Sequence, residues 1–177
     1  MDTIPWKIAQ TNVSNFLREH QFAVFEEKRL KSGKRIDIVA QKKISGSFLH
    51  ILVEVKDWQK VTRKQEIDFC DQIVEYLIQY AMEEILLKET EDKWNKSTKK
   101  INDSFLGILC LTNDAHFSFR KVSDHYFKKN KNVIGIPFRE QIVDRIMLYV
   151  ARFDFLTKVF NDAKIPLYKE QSLTEWF

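Results

Sequence analysis

The alternation of apolar and polar positions near the start of the chain predicts one helix followed by two strands. Apolar residues recur at helical spacing in residues 7–19, which predicts an amphipathic helix. Residues 22–29 are rich in phenylalanine and valine, as is typical of a strand. After the turn-forming Ser32-Gly33-Lys34, residues 35–41 alternate in the period of a second strand.

A third strand is predicted for residues 48–56, which follow the turn signal Ser45-Gly46-Ser47. The run Ile51-Leu52-Val53 within it is apolar at consecutive positions. Such a run is expected for a strand that is covered on both faces. Because the connections between these three strands are short, we expect them to form an antiparallel meander.

The hydrophobic period then changes to that of a helix. Residues 65–88 carry apolar positions three and four apart, which predicts a long amphipathic helix. Residues 89–104 are polar and rich in lysine, and we expect an exposed excursion there. Residues 105–112 form another apolar strand, and the long helix before it favours a parallel, right-handed crossover from the third strand.

The last third of the chain predicts mainly helices. We expect a helix over residues 116–129, a short strand over 133–137 and a terminal amphipathic helix over 140–160. The pattern as a whole predicts a single α/β domain. Its αβββαβ core, with a mixed sheet flanked by helices, covers about residues 7–112, and a C-terminal helical extension covers 113–177.

The composition fits a packed domain that does not cross a membrane. The 177 residues are 44% hydrophobic and include 14 phenylalanines but only four glycines and three prolines, which excludes collagen-like and disordered classes. No apolar run approaches the ~20 residues needed to cross a bilayer, and the first residues lack the pattern of a secretory leader. Cys70 and Cys110 lie in apolar stretches, as expected for buried thiols in a reducing compartment. We therefore expect a cytoplasmic protein.

Ionisable residues interrupt an apolar strand at the end of the run Ile51-Leu52-Val53-Glu54-Val55-Lys56. By the period of a strand, Glu54 and Lys56 project from one face, and Asp37 on the preceding strand is close enough to share that face. Two carboxylates form a hard-oxygen site suited to Mg²⁺ or Mn²⁺. With a lysine beside them, such a site suits phosphodiester hydrolysis. The alternative is that Asp37 is a strand-end residue near solvent and that Glu54 and Lys56 form an ordinary ion pair.

The two segments that carry these residues resemble those of a known enzyme superfamily. Gly33-Lys34-Arg35-Ile36-Asp37-Ile38-Val39 and Ile51-Leu52-Val53-Glu54-Val55-Lys56 are similar to the G-x-R-I-D-h-h and h-h-h-E-h-K segments, h being apolar, of the PD-(D/E)XK nucleases, which have a restriction-endonuclease-like fold. The order of predicted elements over about residues 7–112 is also similar. The resemblance implies that Asp37, Glu54 and Lys56 are catalytic. It implies that Asp37, Glu54 and the Val55 carbonyl are metal ligands.

The sequence departs from this pattern at two places. Ile36 precedes Asp37, where the superfamily signature has a proline. Gln10 stands near the position in the opening helix where junction-resolving relatives often carry a metal-binding glutamate. This difference argues against a specific assignment to the resolvases.

Several further residues are candidates for contact with nucleic acid, which a net charge of +4 permits without requiring. Basic residues directly after the third strand either grip phosphates or form an ordinary solvated charge run. Some branches of the superfamily place a glutamine of the following helix at the site. Gln72 is the candidate for that role here, and Gln65 and Asp68 are the alternatives. Residues 121–131 mix lysines with aromatic residues and fit either base stacking or a helix core. The candidate nucleic-acid-binding residues are Lys60, Arg63, Lys64 and Gln72.

The sequence and the resemblance together predict a metal-dependent nuclease, most simply a Mg²⁺- or Mn²⁺-dependent DNA endonuclease. Because each chain offers one centre and duplex cleavage needs two, we expect a homodimer. The alternative is a catalytically weak nucleic-acid-binding or protein-interaction module that keeps the nuclease fold. A further hypothesis is that the C-terminal half, which ends in Leu173-Thr174-Glu175-Trp176-Phe177, docks on a protein partner that supplies specificity.

Overall fold

The computed structural model describes residues 5–86, 101–122 and 135–167. Within these ranges the chain is an α/β protein with a six-stranded mixed sheet and four α-helices. A π-helical turn, Met82–Leu86, continues the second helix, and a 3-10 turn, Phe153–Phe155, precedes the last one. The elements in chain order are α1 (Pro5–Glu19), β1 (Ala23–Arg29), β2 (Arg35–Ile44), β3 (Ser47–Lys56), α2 (Arg63–Ala81), β4 (Ser104–Leu111), β5 (Phe119–Lys121), α3 (Pro137–Val143), β6 (Ile146–Arg152) and α4 (Leu156–Asp162).

The strand order in the sheet is β1-β2-β3-β4-β6-β5. The first three strands pair antiparallel, β3, β4 and β6 run parallel to one another, and β5 pairs antiparallel with β6. The predicted meander and the parallel connection from the third strand to the fourth are therefore confirmed.

Helices cover both faces of the sheet. Leu52 of β3 packs in one buried cluster with residues of α2 and α3, whereas its neighbour Val53 packs in a second cluster with residues of α1 and α4. This alternation explains the continuous apolar run of β3, since both faces of a strand in such a layered sheet are buried. Gly107 of β4 permits close packing under α2, because an added Cβ would lie 2.9 Å from Ile73 Cγ1.

The prediction of a C-terminal helical extension is wrong. Ile146–Arg152, within the predicted helix 140–160, is strand β6 and lies inside the sheet between β4 and β5. Its consecutive apolar residues are those of a strand buried on both faces, and their coincidental four-residue spacing imitates a helix. The C-terminal part of the chain therefore completes the sheet.

Three shorter predictions also change. Phe119–Lys121 is a strand and not part of a helix over 116–129. It pairs with β6 and forms one edge of the sheet. Pro137 begins a helix, where its fixed φ is favourable, and does not end a strand over 133–137. Ile101, in the predicted exposed excursion, is buried. Residues 87–100 and 123–134 lie outside the described ranges.

Two expectations from composition can be compared with the structure. Cys70 and Cys110 are free and buried, and burial raises the pKa of each thiol to about 12. Across residues 5–86, 101–122 and 135–167, no helix combines the length and apolar character that a membrane span requires.

Candidate active site

The candidate site lies where two neighbouring strands separate. The antiparallel pairing of β2 with β3 extends as far as Ile38 and Val53 and then stops. Both strands continue beyond that pair, because β2 still pairs with β1 at Arg35 and β3 still pairs with β4 at Lys56. The ends of β2 and β3 therefore leave a gap between them, with backbone groups that the ladder no longer satisfies.

Asp37 enters this gap from β2. Its Oδ2 atom accepts a 2.8 Å hydrogen bond from the backbone N–H of Val55, so a side chain takes the place of a ladder partner. The N–H and C=O groups of one strand residue point to the same side. The Val55 carbonyl therefore faces the gap as well, beside the Asp37 carboxylate.

Glu54 enters the gap from β3 and is only 6% exposed. Its Oε1 atom is buried without a hydrogen-bond partner. Burial raises the pKa of Glu54 from 4.5 to about 8; the charge of Asp37 and a hydrogen bond between the two side chains add to this, and Lys56 opposes it. A buried carboxylate beside another carboxylate is costly to ionise, and a bound cation would remove that cost.

Lys56 completes the group and borders two cavities. One, of about 280 Å³, is lined by Asp37, Val55 and Lys56 together with Trp6, Arg35 and Asp57. The other, of about 260 Å³, lies on the α2 side of Lys56. The Lys56 Nζ atom is 5.7 Å from the centre of the Trp58 ring, at cation–π distance. The structure thus brings Asp37, Glu54 and Lys56 together, as the strand periods predict.

Gln72 lines the cavity on the α2 side with Lys56. Its Nε2 atom donates a 2.7 Å hydrogen bond to the Tyr76 hydroxyl. The two rival residues of the sequence prediction, Gln65 and Asp68, line the same cavity. All three polar residues therefore line the same cavity as Lys56. The assignment of Gln72 to contact with nucleic acid stays a prediction.

The predicted basic residues lie at the entrance to α2. Lys60, Arg63 and Lys64 are exposed in the loop after β3 and in the first turn of the helix. The helix begins with a capping box in which the side chains of Thr62 and Gln65 each accept a backbone hydrogen bond. The loop that carries Lys60 is thereby held at a defined place next to the cavity.

Two tryptophans that the sequence prediction did not assign to the site line its cavities. Trp58, in the loop after β3, lines the cavity on the α2 side. Trp6 lines the cavity that contains Asp37. No local signal identifies Trp6, because it reaches the site through the packing of α1, whereas Trp58 follows directly after the end of β3. Gln10 lies one helical turn after Trp6, and its buried Oε1 atom also lacks a partner.

The donor set fits a hard cation that keeps most of its water ligands. Among the residues that the structure describes, no group of three or more His, Cys, Asp or Glu side chains is arranged to hold a metal ion. Asp37, Glu54 and the Val55 carbonyl supply oxygen atoms only, and Mg²⁺ is commonly held by one or two carboxylates with several waters. The unpartnered Glu54 oxygen is consistent with such a ligand. A zinc site is disfavoured, since zinc prefers nitrogen and sulfur ligands.

Comparisons with known proteins give little information about this chain. No protein-family model matches it, and no curated protein matches it. Among solved structures it is similar to the Acinetobacter baumannii Cap4 SAVED/CARF-domain containing receptor in complex with the cyclic trinucleotide 3'3'3'-cAAA. The TM-score is 0.34 and the identity 12%, over 96% of this chain and 40% of that chain. A TM-score this low does not establish a shared fold, and the chain spans less than half the length of that receptor chain.

Proposed function

We propose that this protein is a metal-dependent nuclease of the PD-(D/E)XK type, with a restriction-endonuclease-like fold and DNA as its substrate. The observation that carries the proposal is the pair of carboxyl groups in the gap between β2 and β3. Glu54 is buried, its Oε1 atom has no partner, and it lies against Asp37 and Lys56. If the end of β3 had only a structural role, we would expect apolar residues at this position, because unpaired buried carboxylates destabilise a fold.

Each residue of the group has a role in the proposed reaction. Asp37, Glu54 and the Val55 carbonyl would hold Mg²⁺ or Mn²⁺. A cation bound there polarises a phosphoryl oxygen and lowers the pKa of an attacking water. Lys56 orients that water or donates to the phosphoryl oxygens on which negative charge accumulates. Its position between two cavities gives it access to a phosphodiester that spans them.

The exposed cations at the start of α2 fit the approach of a polyanion. Lys60, Arg63 and Lys64 are exposed and follow the strand that carries Lys56. Contacts between such residues and phosphates position a nucleic acid without reading its sequence. Cleavage of both strands of a duplex needs two centres, so the proposal includes a homodimer. Docking of the C-terminal half on a protein partner stays a prediction, and its last residues, 173–177, lie outside the described ranges.

The alternative, a nucleic-acid-binding module without catalysis, would keep the cations but has no use for Glu54. It predicts salt-dependent binding that does not require Asp37 or Glu54. Cleavage assays therefore separate the two functions.

The test is incubation of the purified protein with plasmid, linear duplex, single-stranded and branched DNA, and RNA, in Mg²⁺ or Mn²⁺. We expect cleavage of at least one DNA substrate by the wild type, and its loss in EDTA and in Asp37→Asn and Lys56→Ala. Asp144→Asn and Lys43→Ala are matched controls, because both residues are exposed and lie outside the candidate site. Equal cleavage by folded Asp37→Asn, or activity that survives EDTA, refutes the proposal. Binding without cleavage supports the alternative.

A further inference from the structure

Trp58 and Lys56 line the cavity on the α2 side of the candidate site. The cavity has a volume of about 260 Å³. Buried side chains of α2 and β4, Phe69 and Leu109, contribute apolar lining, and the half-buried Trp58 contributes an aromatic wall. Leu109 is the register partner of Glu54 across β3 and β4. Because Lys56 of β3 also lines it, the cavity adjoins the strand that carries Glu54.

The polar lining of this cavity offers both hydrogen-bond donors and acceptors, since Lys56 and Gln65 line it together with Asp68 and Gln72. Asp68 is exposed at its border, and the Gln72 Oε1 atom is left as an acceptor because Nε2 donates to Tyr76. Adenine, cytosine and guanine all carry an amino group that can donate to a carboxylate or amide oxygen. A slot with an aromatic wall and with donors and acceptors at its border suits a nucleobase, whose edge carries both, and the Asp68 carboxylate at the border disfavours a phosphate.

Three contacts hold the Trp58 loop in place before any ligand binds. The backbone N–H of His116 donates a 2.7 Å hydrogen bond to the Gln59 carbonyl, which ties this loop to the one after β4. Val61 packs against the buried cluster beneath α2, and Lys56 lies against the Trp58 ring. A ring that is already ordered loses little conformational entropy when a second ring stacks on it.

We infer that this cavity, formed by Trp58, Phe69, Leu109, Asp68 and Gln72, binds one unpaired nucleobase beside the scissile phosphate. The inference rests on the proposed nuclease function and narrows its substrate to single-stranded or locally unpaired nucleic acid. A base inside a regular duplex is stacked on its neighbours and reaches such a slot only after it leaves the stack. Stacking on an aromatic side chain tolerates every base, because each base has a π face.

A purely structural role for Trp58 makes a different prediction. If the ring only covers the end of β3, its removal weakens the fold and affects all nucleic acids alike. If it stacks on a base, its removal weakens binding of unpaired strands selectively. The ratio of affinities for a single strand and a blunt duplex of the same sequence therefore separates the two roles.

The experiment measures fluorescence-anisotropy affinities for a labelled single-stranded DNA oligonucleotide and its blunt duplex, in EDTA, where the proposed cleavage does not occur. Loss of one stacked base corresponds to a decrease in affinity of about 5- to 150-fold. We expect Trp58→Ala to show this decrease for the single strand and less than about twofold change for the duplex, well below that range. Trp58→Phe should retain most of the affinity, because a phenyl ring still stacks.

Phe48→Ala is the matched control. Phe48 is 42% exposed and lies near the start of β3, whereas Trp58 follows the end of that strand. Its truncation should therefore leave both affinities unchanged. The inference is overturned if Trp58→Ala affects both nucleic acids equally or affects neither. It is also overturned if the wild type does not bind the single strand. Each of these results leaves Asp37-dependent duplex cleavage intact as support for the proposed function. Conversely, Trp58-dependent single-strand binding without metal-dependent cleavage refutes the proposed function and retains the base site.

Discussion

The substitution Glu54→Gln tests the energetics of the paired carboxyl groups in the metal-free protein. Burial, followed by the neighbouring Asp37, raises the pKa of Glu54 from 4.5 to about 8. Between these two values the folded protein keeps a proton that the unfolded chain releases. The free energy of unfolding of the wild type should therefore fall as the pH rises through this window. Glutamine does not titrate, so this contribution is absent from the variant.

The size of the effect follows from the pKa difference. Over the whole window from 4.5 to about 8, the contribution amounts to at most about 5 kcal/mol, at roughly 1.4 kcal/mol for each pH unit. From about pH 6 to about pH 9, the wild type should lose roughly 2–3 kcal/mol relative to Glu54→Gln. Titrating groups that do not contact Glu54 are shared by the two proteins and cancel in this difference.

Urea unfolding at a series of pH values in EDTA measures this difference. Glu19→Gln is the control, because Glu19 is exposed at the end of α1, and its curve should run parallel to that of the wild type. If Glu54→Gln also runs parallel to the wild type, Glu54 does not hold a proton in the folded state. That result would refute the reasoning that burial and Asp37 raise its pKa.

Two further predictions concern the sheet and the pH dependence of metal binding. Gly107→Ala should lower the free energy of unfolding by about 1–3 kcal/mol in urea, because the new Cβ would lie 2.6 Å from Leu148 Cδ2; an unchanged midpoint would show that the sheet relaxes freely. Below its pKa of about 8, Glu54 carries a proton that a bound cation must displace. Mg²⁺ affinity, measured by calorimetric titration, should therefore rise about tenfold for each pH unit up to that value. An affinity that does not change with pH would contradict the assignment of Glu54 as a ligand.

The strand that carries Glu54 and Lys56 could be predicted because its signals are local. Charged residues interrupt an apolar run, and the period of a strand places them on one face. The separation of β2 from β3 could not be predicted. It arises because β2 continues to pair with β1, and β3 with β4, beyond the point where β2 and β3 stop pairing. That separation leaves the Val55 N–H to the Asp37 carboxylate and so creates the gap in which the site forms.

The C-terminal half shows why the remainder of the fold was harder to predict. Ile142, Ile146 and Val150 are four residues apart, as on a helix face, yet the last two belong to a strand. The apolar residues between them, such as Leu148, carry the opposite signal. Burial of β6 on both faces decides the outcome, and it depends on helices from distant parts of the chain. Trp6 of α1 likewise reaches the site only through tertiary packing.

The central claim is that Asp37 and Glu54 together bind a divalent cation at the end of β3. Isothermal titration of the metal-free protein with Mn²⁺, in two buffers of different ionisation enthalpy, tests it most directly. We predict a single class of site at neutral pH, release of about one proton from Glu54 on binding, and loss of the site in folded Asp37→Asn but not in Asp144→Asn. Binding that is unchanged in Asp37→Asn, or no binding by the wild type, would contradict the claim.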